Sequence, residues 1–91
     1  MVQGNYTALI LDDDVGVANL CSRLLEKAGF SSKTVNHPEE ALDFLKMNSY
    51  DLLLSDVRMP DMNGFEVMDR AREIDPDLVV VIMTGYGTVE T

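Results

Sequence analysis

The stretch YDLLLSDVRMPDMNG, from Tyr50 to Gly64, joins a continuous apolar run to one aspartate and to a loop punctuated by proline and glycine. An apolar run without polar alternation is typical of a strand buried on both faces, and such strands occur mainly in parallel sheets. Asp56 stands where this strand would end, and a carboxylate beside an apolar strand core loses hydration that something else must compensate. The sequence therefore predicts a parallel sheet with a functional carboxylate at the end of one strand.

Apolar runs and amphipathic segments alternate along the rest of the chain. Strands are predicted over residues 6–11, 30–36, 50–56 and 78–83, with the second at a sheet edge and the fourth buried like the third. Helices are predicted from Asp14 to Gly29, from a cap at Asn36 or His37 with Pro38 in the first turn, and after the loop. The expected core-facing positions of the first and third helices are Val17, Leu20, Cys21, Leu24, Leu25, Ala28, Phe65, Met68, Ala71 and Ile74. This alternation predicts an α/β fold, an open parallel sheet with right-handed crossovers, as one domain over residues 1–91.

Composition narrows the classes of function. The formal net charge of −9 argues against direct nucleic-acid binding, which needs clustered Lys and Arg, and favours a cation or a basic protein partner. Cys21 is the single cysteine, so an internal disulfide is excluded and a small buried hydrophobe is expected there. No apolar run reaches the ~18 residues of a membrane span, and no signal peptide is visible. The expected location is the cytoplasm, without membrane association.

Acidic side chains follow two of the predicted strands. Asp12, Asp13 and Asp14 come directly after the first strand, and Asp56 ends the third. Ligands of open parallel sheets bind beyond the carboxyl ends of the strands, where these acids would converge and suit a hard ion such as Mg²⁺. Thr84 and Gly85 would bring a hydroxyl and a free N–H to the same rim, where they and the ion could stabilise a phosphoryl group on Asp56. In the alternative interpretation the three aspartates only cap a helix, and Asp56 only caps a turn.

Three segments carry a family resemblance: LILDDD (Leu9–Asp14), LLSDVRMPDMNGFE (Leu53–Glu66) and VVVIMTGYG (Val79–Gly87). Together they resemble the CheY-like receiver domain of two-component response regulators, which has a flavodoxin-like fold. The resemblance implies that a sensor histidine kinase or a phosphotransfer protein phosphorylates the chain and that phosphorylation then switches a protein interface. It also implies that the chain is not an enzyme that turns over small molecules. The last residues, TGYGTVET, resemble receivers of the NtrC type and so imply an output in transcription.

The resemblance also implies a role for individual residues. Asp56 is the expected phospho-acceptor, with Mg²⁺ held directly by Asp13 and with the help of Asp12. The main-chain carbonyl of Arg58 is implied to contact the metal, and the Thr84 hydroxyl is implied to contact the phosphoryl group. The residues implied to shape the loops are Met59, Pro60, Gly64 and Gly85.

A whole receiver has a fifth strand with a lysine after it and a last helix, and these have no counterpart among the 91 residues. We therefore expect a truncated receiver that self-associates through its fourth strand or through an uncovered sheet face. Two other functions stay open at this stage. One is an interaction module that works by dimerisation without phosphorylation, and the other is a Mg²⁺-dependent hydrolase with an aspartate nucleophile.

Overall fold

The computed structural model describes residues 6–59 and 62–83. Strands and helices alternate along them, as the sequence predicts: β1 (Tyr6–Leu11), α1 (Val15–Lys27), β2 (Phe30–Val35), α2 (Pro38–Met47), β3 (Leu52–Asp56), α3 (Gly64–Ile74) and β4 (Val79–Met83). None of these helices is long and apolar enough to cross a membrane, within the residues just given.

The four strands form one parallel sheet in the order β2-β1-β3-β4. β1 and β3 are therefore neighbours at the centre, and the predicted α/β fold is confirmed. In the register of the sheet, Leu11 lies opposite both Val35 and Ser55. The residues that follow Leu11 consequently leave the sheet beside Asp56, so the acids after β1 and the acid that ends β3 share one rim.

The core lies between the sheet and the helices α2 and α3. Leu9, Leu11 and Leu53 point from the central strands into this layer, where both helices contribute side chains to the same buried cluster. The helix residues of the cluster are Ala41, Leu42, Leu45, Val67 and Ala71. Burial of each large aliphatic side chain contributes roughly 1.5–3 kcal/mol before chain entropy is counted, so this layer holds the two central strands in register.

Helix α1 covers only part of the other face of the sheet. Ala8 and Ile10 alternate with the core residues of β1 and are fully buried, and α1 packs against β1 and β2 with Ala18 buried. In the described part of the chain α1 packs mainly on β1 and β2 and meets the end of β4 through Sγ of Cys21, which lies 3.8 Å from Sδ of Met83. Val79 and Val81 therefore stay 57% and 43% exposed. The prediction from composition that β4 is buried on both faces was therefore wrong, whereas the expectation of an exposed fourth strand agrees with its place at the edge of the described sheet.

The outer surface of α1 corrects a second prediction. Val17, Leu20 and Leu24 share the helical spacing of a core-facing stripe, yet Leu20 and Leu24 are more than half exposed and Val17 is 40% exposed. Cys21 and Leu25 of the same stripe are half-buried. The periodicity correctly indicates an amphipathic helix, but only one flank of its apolar stripe meets the sheet. We call Leu20, Leu24, Val79 and Val81 the open face.

Helix α3 turns a side toward the core that only partly matches the predicted one. Val67 and Ala71 are fully buried and Gly64 is also buried, a spacing of three and four residues that marks the inner stripe. Phe65 lies one position, or about 100°, away from that stripe and is 55% exposed. The predictions for Ala71 and for Ile74, which packs against the core, are confirmed, whereas the prediction for Phe65 was wrong. The close packing of Gly64 explains the rotation, as described below.

Candidate functional site

Three carboxylates meet where β1 and β3 end. One oxygen from each of Asp12, Asp13 and Asp56 lies within 4.8 Å of the others. Asp12 is only 3% exposed, Asp56 is half-buried and Asp13 faces solvent. The register of the two strands accounts for this convergence, because Asp12 directly follows the pair formed by Leu11 and Ser55. The acids that the sequence places at one rim are thus brought together.

Asp14 behaves differently from its two neighbours. Its Oδ1 accepts hydrogen bonds from the main-chain N–H groups of Gly16 at 2.9 Å and Val17 at 3.2 Å, which makes Asp14 the N-cap of α1. Its own N–H donates to Oδ1 of Asp12 at 2.9 Å. The helix-capping interpretation therefore holds for Asp14, while Asp12 and Asp13 face Asp56. The cap fixes the loop that carries both of these acids.

The electrostatics of the cluster are unfavourable without a cation. Burial raises the pKa of Asp12 above its ordinary value, and the charges of Asp56, Asp13 and Asp14 raise it further. The hydrogen bond from the Asp14 N–H lowers that pKa and offsets part of the rise. Desolvation and like charges both disfavour the ionised form, whereas an opposite charge favours it. A bound cation would therefore relieve the strain that these carboxylates place on the fold.

The donor set fits a small, hard divalent ion. Mg²⁺ prefers oxygen ligands at about 2.0–2.1 Å, so that two ligands on opposite sides of the ion are about 4.2 Å apart. The oxygens of the three aspartates lie within 4.8 Å of one another, which is close to this spacing. Mg²⁺ also keeps several waters and needs few protein ligands, which suits a rim with one solvent-exposed aspartate. The carboxylates present are therefore compatible with a magnesium site.

The chain after Asp56 is held tightly against the start of α3. Val57 donates its N–H to the carbonyl of Met83 at 2.9 Å and accepts the N–H of Gly64 at 3.0 Å. A Cβ placed on Gly64 would lie 2.6 Å from the main-chain oxygen of Asp56 and 3.0 Å from Cα of Val57. Only a residue without a side chain allows this approach, which gives the expected loop-shaping role of Gly64 a physical reason.

Two methionines that follow Asp56 pack against the core cluster. Met62 is 8% exposed and belongs to the core cluster, and Met59 packs against that cluster while half-buried. The structure thus places Met59 where the sequence expects a loop-shaping residue. No role was predicted for Met62 from the sequence, although a second methionine in the same short loop indicated another residue that could be buried. Helix α3 then begins behind the N-cap Asn63, whose side chain accepts the N–H of Glu66 at 3.0 Å.

The remaining predicted residues differ in what can be said of them. The main-chain N–H of Arg58 lies 3.4 Å from Oδ1 of Asp56, a long hydrogen bond that puts the Arg58 backbone beside the carboxylate. Pro60, Thr84 and Gly85 lie outside the described residues, so their assigned roles stay predictions.

The sequence and the fold match one family. The profile of the response regulator receiver domain matches residues 8–91. Transcriptional regulatory protein ZraR of Escherichia coli (strain K12) is 33% identical over all 91 residues, which span 21% of its length. Response regulator receiver protein CpdR of Brucella abortus (strain 2308) is 37% identical over 81 residues, 89% of this chain and 68% of that protein.

Solved structures give the same answer. A CheY-like receiver domain protein from Methanospirillum hungatei JF-1 matches with a TM-score of 0.85 at 27% identity, over 94% of this chain and 69% of that chain. TrrA of Thermotoga maritima, crystallised with Mg²⁺ and BeF, matches with a TM-score of 0.84 at 29% identity, over 90% of this chain and 71% of that chain. A complex of histidine kinase ThkA with TrrA matches with a TM-score of 0.83 at 28% identity, over 94% of this chain and 74% of that chain. The chain belongs to the receiver domains of two-component response regulators.

Proposed function

We propose that Asp56 accepts a phosphoryl group from a phosphorylated histidine of a sensor kinase or phosphotransfer protein, with Mg²⁺ held by Asp12, Asp13 and Asp56. The observation that carries the proposal is the convergence of these three carboxylates within 4.8 Å at the ends of adjacent parallel strands. Support for the donor comes from TrrA, a receiver that has been crystallised with the histidine kinase ThkA.

In the transfer, one carboxylate oxygen of Asp56 attacks phosphorus, a new P–O bond forms, and the P–N bond to the donor imidazole breaks with its electron pair left on nitrogen. The incoming group is an anion approaching three carboxylates. A bound Mg²⁺ would neutralise part of that charge and polarise the phosphoryl oxygens. The main-chain carbonyl of Arg58 would complete the metal ligands, and the hydroxyl of Thr84 would contact the phosphoryl group. The chain would act as a switch and not as an enzyme that turns over small molecules.

The phosphorylated domain would change an interface with an output domain that controls transcription, in the cytoplasm. Support for a transcriptional output comes from relatives whose names describe transcriptional regulators, ZraR and PgtA. This chain spans about a fifth of such proteins, 21% in both. The identity of the output domain is therefore part of the proposal, as is the absence of direct nucleic-acid contact by the acidic receiver.

Phosphoryl transfer is tested by the intact mass of the protein after incubation with acetyl phosphate, with and without Mg²⁺. We expect a gain of one phosphoryl group that depends on Mg²⁺ and disappears in Asp56→Asn. The matched control is Asp69→Asn, which makes the same change on the solvent-exposed side of α3 and should be phosphorylated like the wild type. Equal mass gain in Asp56→Asn, or no gain in a wild type that circular dichroism shows to be folded, would contradict the proposal.

A second candidate function, an interaction module that dimerises without phosphorylation, is favoured by the open face. Its four large aliphatic side chains are 43–57% exposed and lie on the side of the sheet that carries α1. Two copies that buried this face against each other would remove that apolar surface from water. We expect self-association in analytical ultracentrifugation that Val81→Lys weakens.

The control for this measurement is Val15→Lys, because Val15 is 58% exposed at the start of α1 and is not part of the open face. A wild type that stays monomeric over a wide concentration range would contradict self-association. Dimers that form equally with and without acetyl phosphate, in a protein that gains no phosphoryl group, would favour the interaction module over the switch.

A further inference from the structure

Beyond the last paired residues of β1 and β2, one main-chain and one side-chain hydrogen bond still join the two segments. The last paired residues of β1 and β2 are Leu11 and Val35. One more main-chain bond follows, from the N–H of Asp12 to the carbonyl of Val35 at 3.1 Å. The carbonyl of Asp12 is then bonded by a side chain, because Nδ2 of Asn36 donates to it at 3.1 Å.

The position of α2 explains why a side chain makes this contact. In a continuing parallel ladder, the donor to the Asp12 carbonyl would be the main-chain N–H of residue 37. The chain leaves the sheet at this point, since α2 begins at Pro38 and His37 is its N-cap residue. The half-buried amide of Asn36 supplies a donor at the place where the ladder ends. The sequence suggested Asn36 or His37 as the helix cap, and the structure assigns the cap to His37.

The contact acts directly on the acidic loop. The carbonyl of Asp12 belongs to the peptide group that joins Asp12 to Asp13, so a donor that holds this oxygen also sets the direction in which Asp13 leaves the strand. The side chain of Asp12 is held separately by the N–H of Asp14 at 2.9 Å. Mutual repulsion of the three carboxylates tends to open the loop, and the Asn36 contact opposes that opening from the β2 side.

We propose that Asn36 is a positioning residue of the cation site: its amide fixes the Asp12–Asp13 peptide so that both carboxylates are already placed toward Asp56. The proposal rests on the cation site of the proposed function and adds the residue that organises it. Groups that orient metal ligands without touching the ion are a recurrent part of protein metal sites. Asn36 itself lies outside the three segments that carry the family resemblance.

The test is the affinity of the 91-residue protein for Mg²⁺, measured by isothermal titration calorimetry in the absence of any phosphoryl donor. We expect about three- to tenfold weaker binding in Asn36→Ala, the range that the loss of one ordinary net hydrogen bond corresponds to. Asn36→Gln retains an amide donor and should bind more tightly than Asn36→Ala. The matched control is Asn48→Ala, which removes another amide-to-carbonyl contact, from Nδ2 of Asn48 to Phe44 at 3.4 Å, at the far end of α2.

The outcomes separate the two ideas. A wild type that binds Mg²⁺ while Asn36→Ala binds it equally well overturns the positioning role and leaves the proposed function intact. Asn36→Gln no better than Asn36→Ala also overturns the assignment to the amide donor. A wild type without measurable Mg²⁺ binding overturns both. If circular dichroism shows Asn36→Ala to be unfolded, Asn36→Ser replaces it in the same comparison. A purely structural role of Asn36 would lower stability without changing the Mg²⁺ affinity of the folded protein.

Discussion

Replacement of Gly64 by alanine is the sharpest test of how the site is built. The added methyl group would lie 2.6 Å from the carbonyl oxygen of Asp56, about 0.8 Å inside the 3.4 Å at which ordinary van der Waals contact begins. It would also lie 3.0 Å from Cα of Val57 and 3.3 Å from the carbonyl carbon of Asp56. All three neighbours are main-chain atoms, so no side-chain rotation can relieve the contact. Either the start of α3 or the backbone of Asp56 has to move.

The expected loss of stability follows from these distances. Overpacking of a well-packed site typically costs about 1–3 kcal/mol, and the helix propensity of alanine over glycine returns about 0.5–1 kcal/mol. We therefore expect Gly64→Ala to lower the free energy of unfolding by about 1–2 kcal/mol, or the Tm by about 5–15 °C in a domain of this size. Because two of the three main-chain atoms in contact belong to Asp56, Mg²⁺ binding and phosphorylation should weaken as well.

Chemical denaturation with urea, together with the mass assay for phosphorylation, checks both expectations. Gly16→Ala is the matched control, since its methyl group would meet only the side-chain oxygen Oδ1 of Asp14, at 3.3 Å. That variant should change stability by no more than about 0.5 kcal/mol in either direction. If Gly64→Ala were as stable as the wild type and equally well phosphorylated, the close packing of α3 on the Asp56 backbone would not be what shapes the site.

Three further expectations concern the acids and the caps. Mg²⁺ at tenfold above its Kd should stabilise the wild type by about 1.4 kcal/mol, seen as a rise in Tm. Asp56→Asn should reduce that rise without lowering the Tm of the metal-free protein, because it removes one of the repelling charges. No shift in the wild type would speak against an assembled cluster. The pKa of Asp12 is raised above its ordinary 3.8 in the folded state, so its contribution to stability without Mg²⁺ should fall as the pH rises through the window above 3.8. Urea unfolding in EDTA should accordingly show Asp12→Asn gaining on the wild type across that window, and a difference independent of pH would refute the raised pKa. Asn63→Ala should lower the free energy of unfolding by about 1 kcal/mol, because the N–H of Glu66 loses its cap; an unchanged urea midpoint would contradict this.

The fold was largely predictable because each signal was local. Short apolar runs separated by helical periodicity gave all four strands and all three helices within one or two residues of their observed bounds. The acid site followed from a topological argument, since carboxyl ends of adjacent parallel strands meet at one rim. The acids converge only if β1 and β3 are neighbours, and the observed strand order makes them so.

The predictions that were wrong inferred the burial of an element from its apolar content. The run LVVVIM and the stripe on α1 are as apolar as buried elements, but Val81 and Leu20 are exposed because no described element covers them. Periodicity reports which side of an element is apolar and cannot report what packs there. Phe65 failed for a related reason, because the phase of α3 is set by the contact of Gly64 with the Asp56 backbone and not by the most hydrophobic arc. The contact of Asn36 depends on where the β1–β2 ladder ends, which no local pattern specifies.

The features that hold the site together also explain why a bound cation would stabilise it. The backbone positions of Asp12 and Asp56 are fixed by the parallel ladder and by the core beneath it, so their Cα atoms cannot move apart without disturbing β1 or β3. Asp14, which caps α1, and Asn36, which bonds the Asp12 carbonyl from the end of β2, hold the loop at two further points. The folded chain therefore keeps its like charges close, and the resulting repulsion is available as binding energy for a divalent ion. A rim of this kind would respond strongly to any further change of charge on Asp56, which is the property that a phosphorylation switch requires.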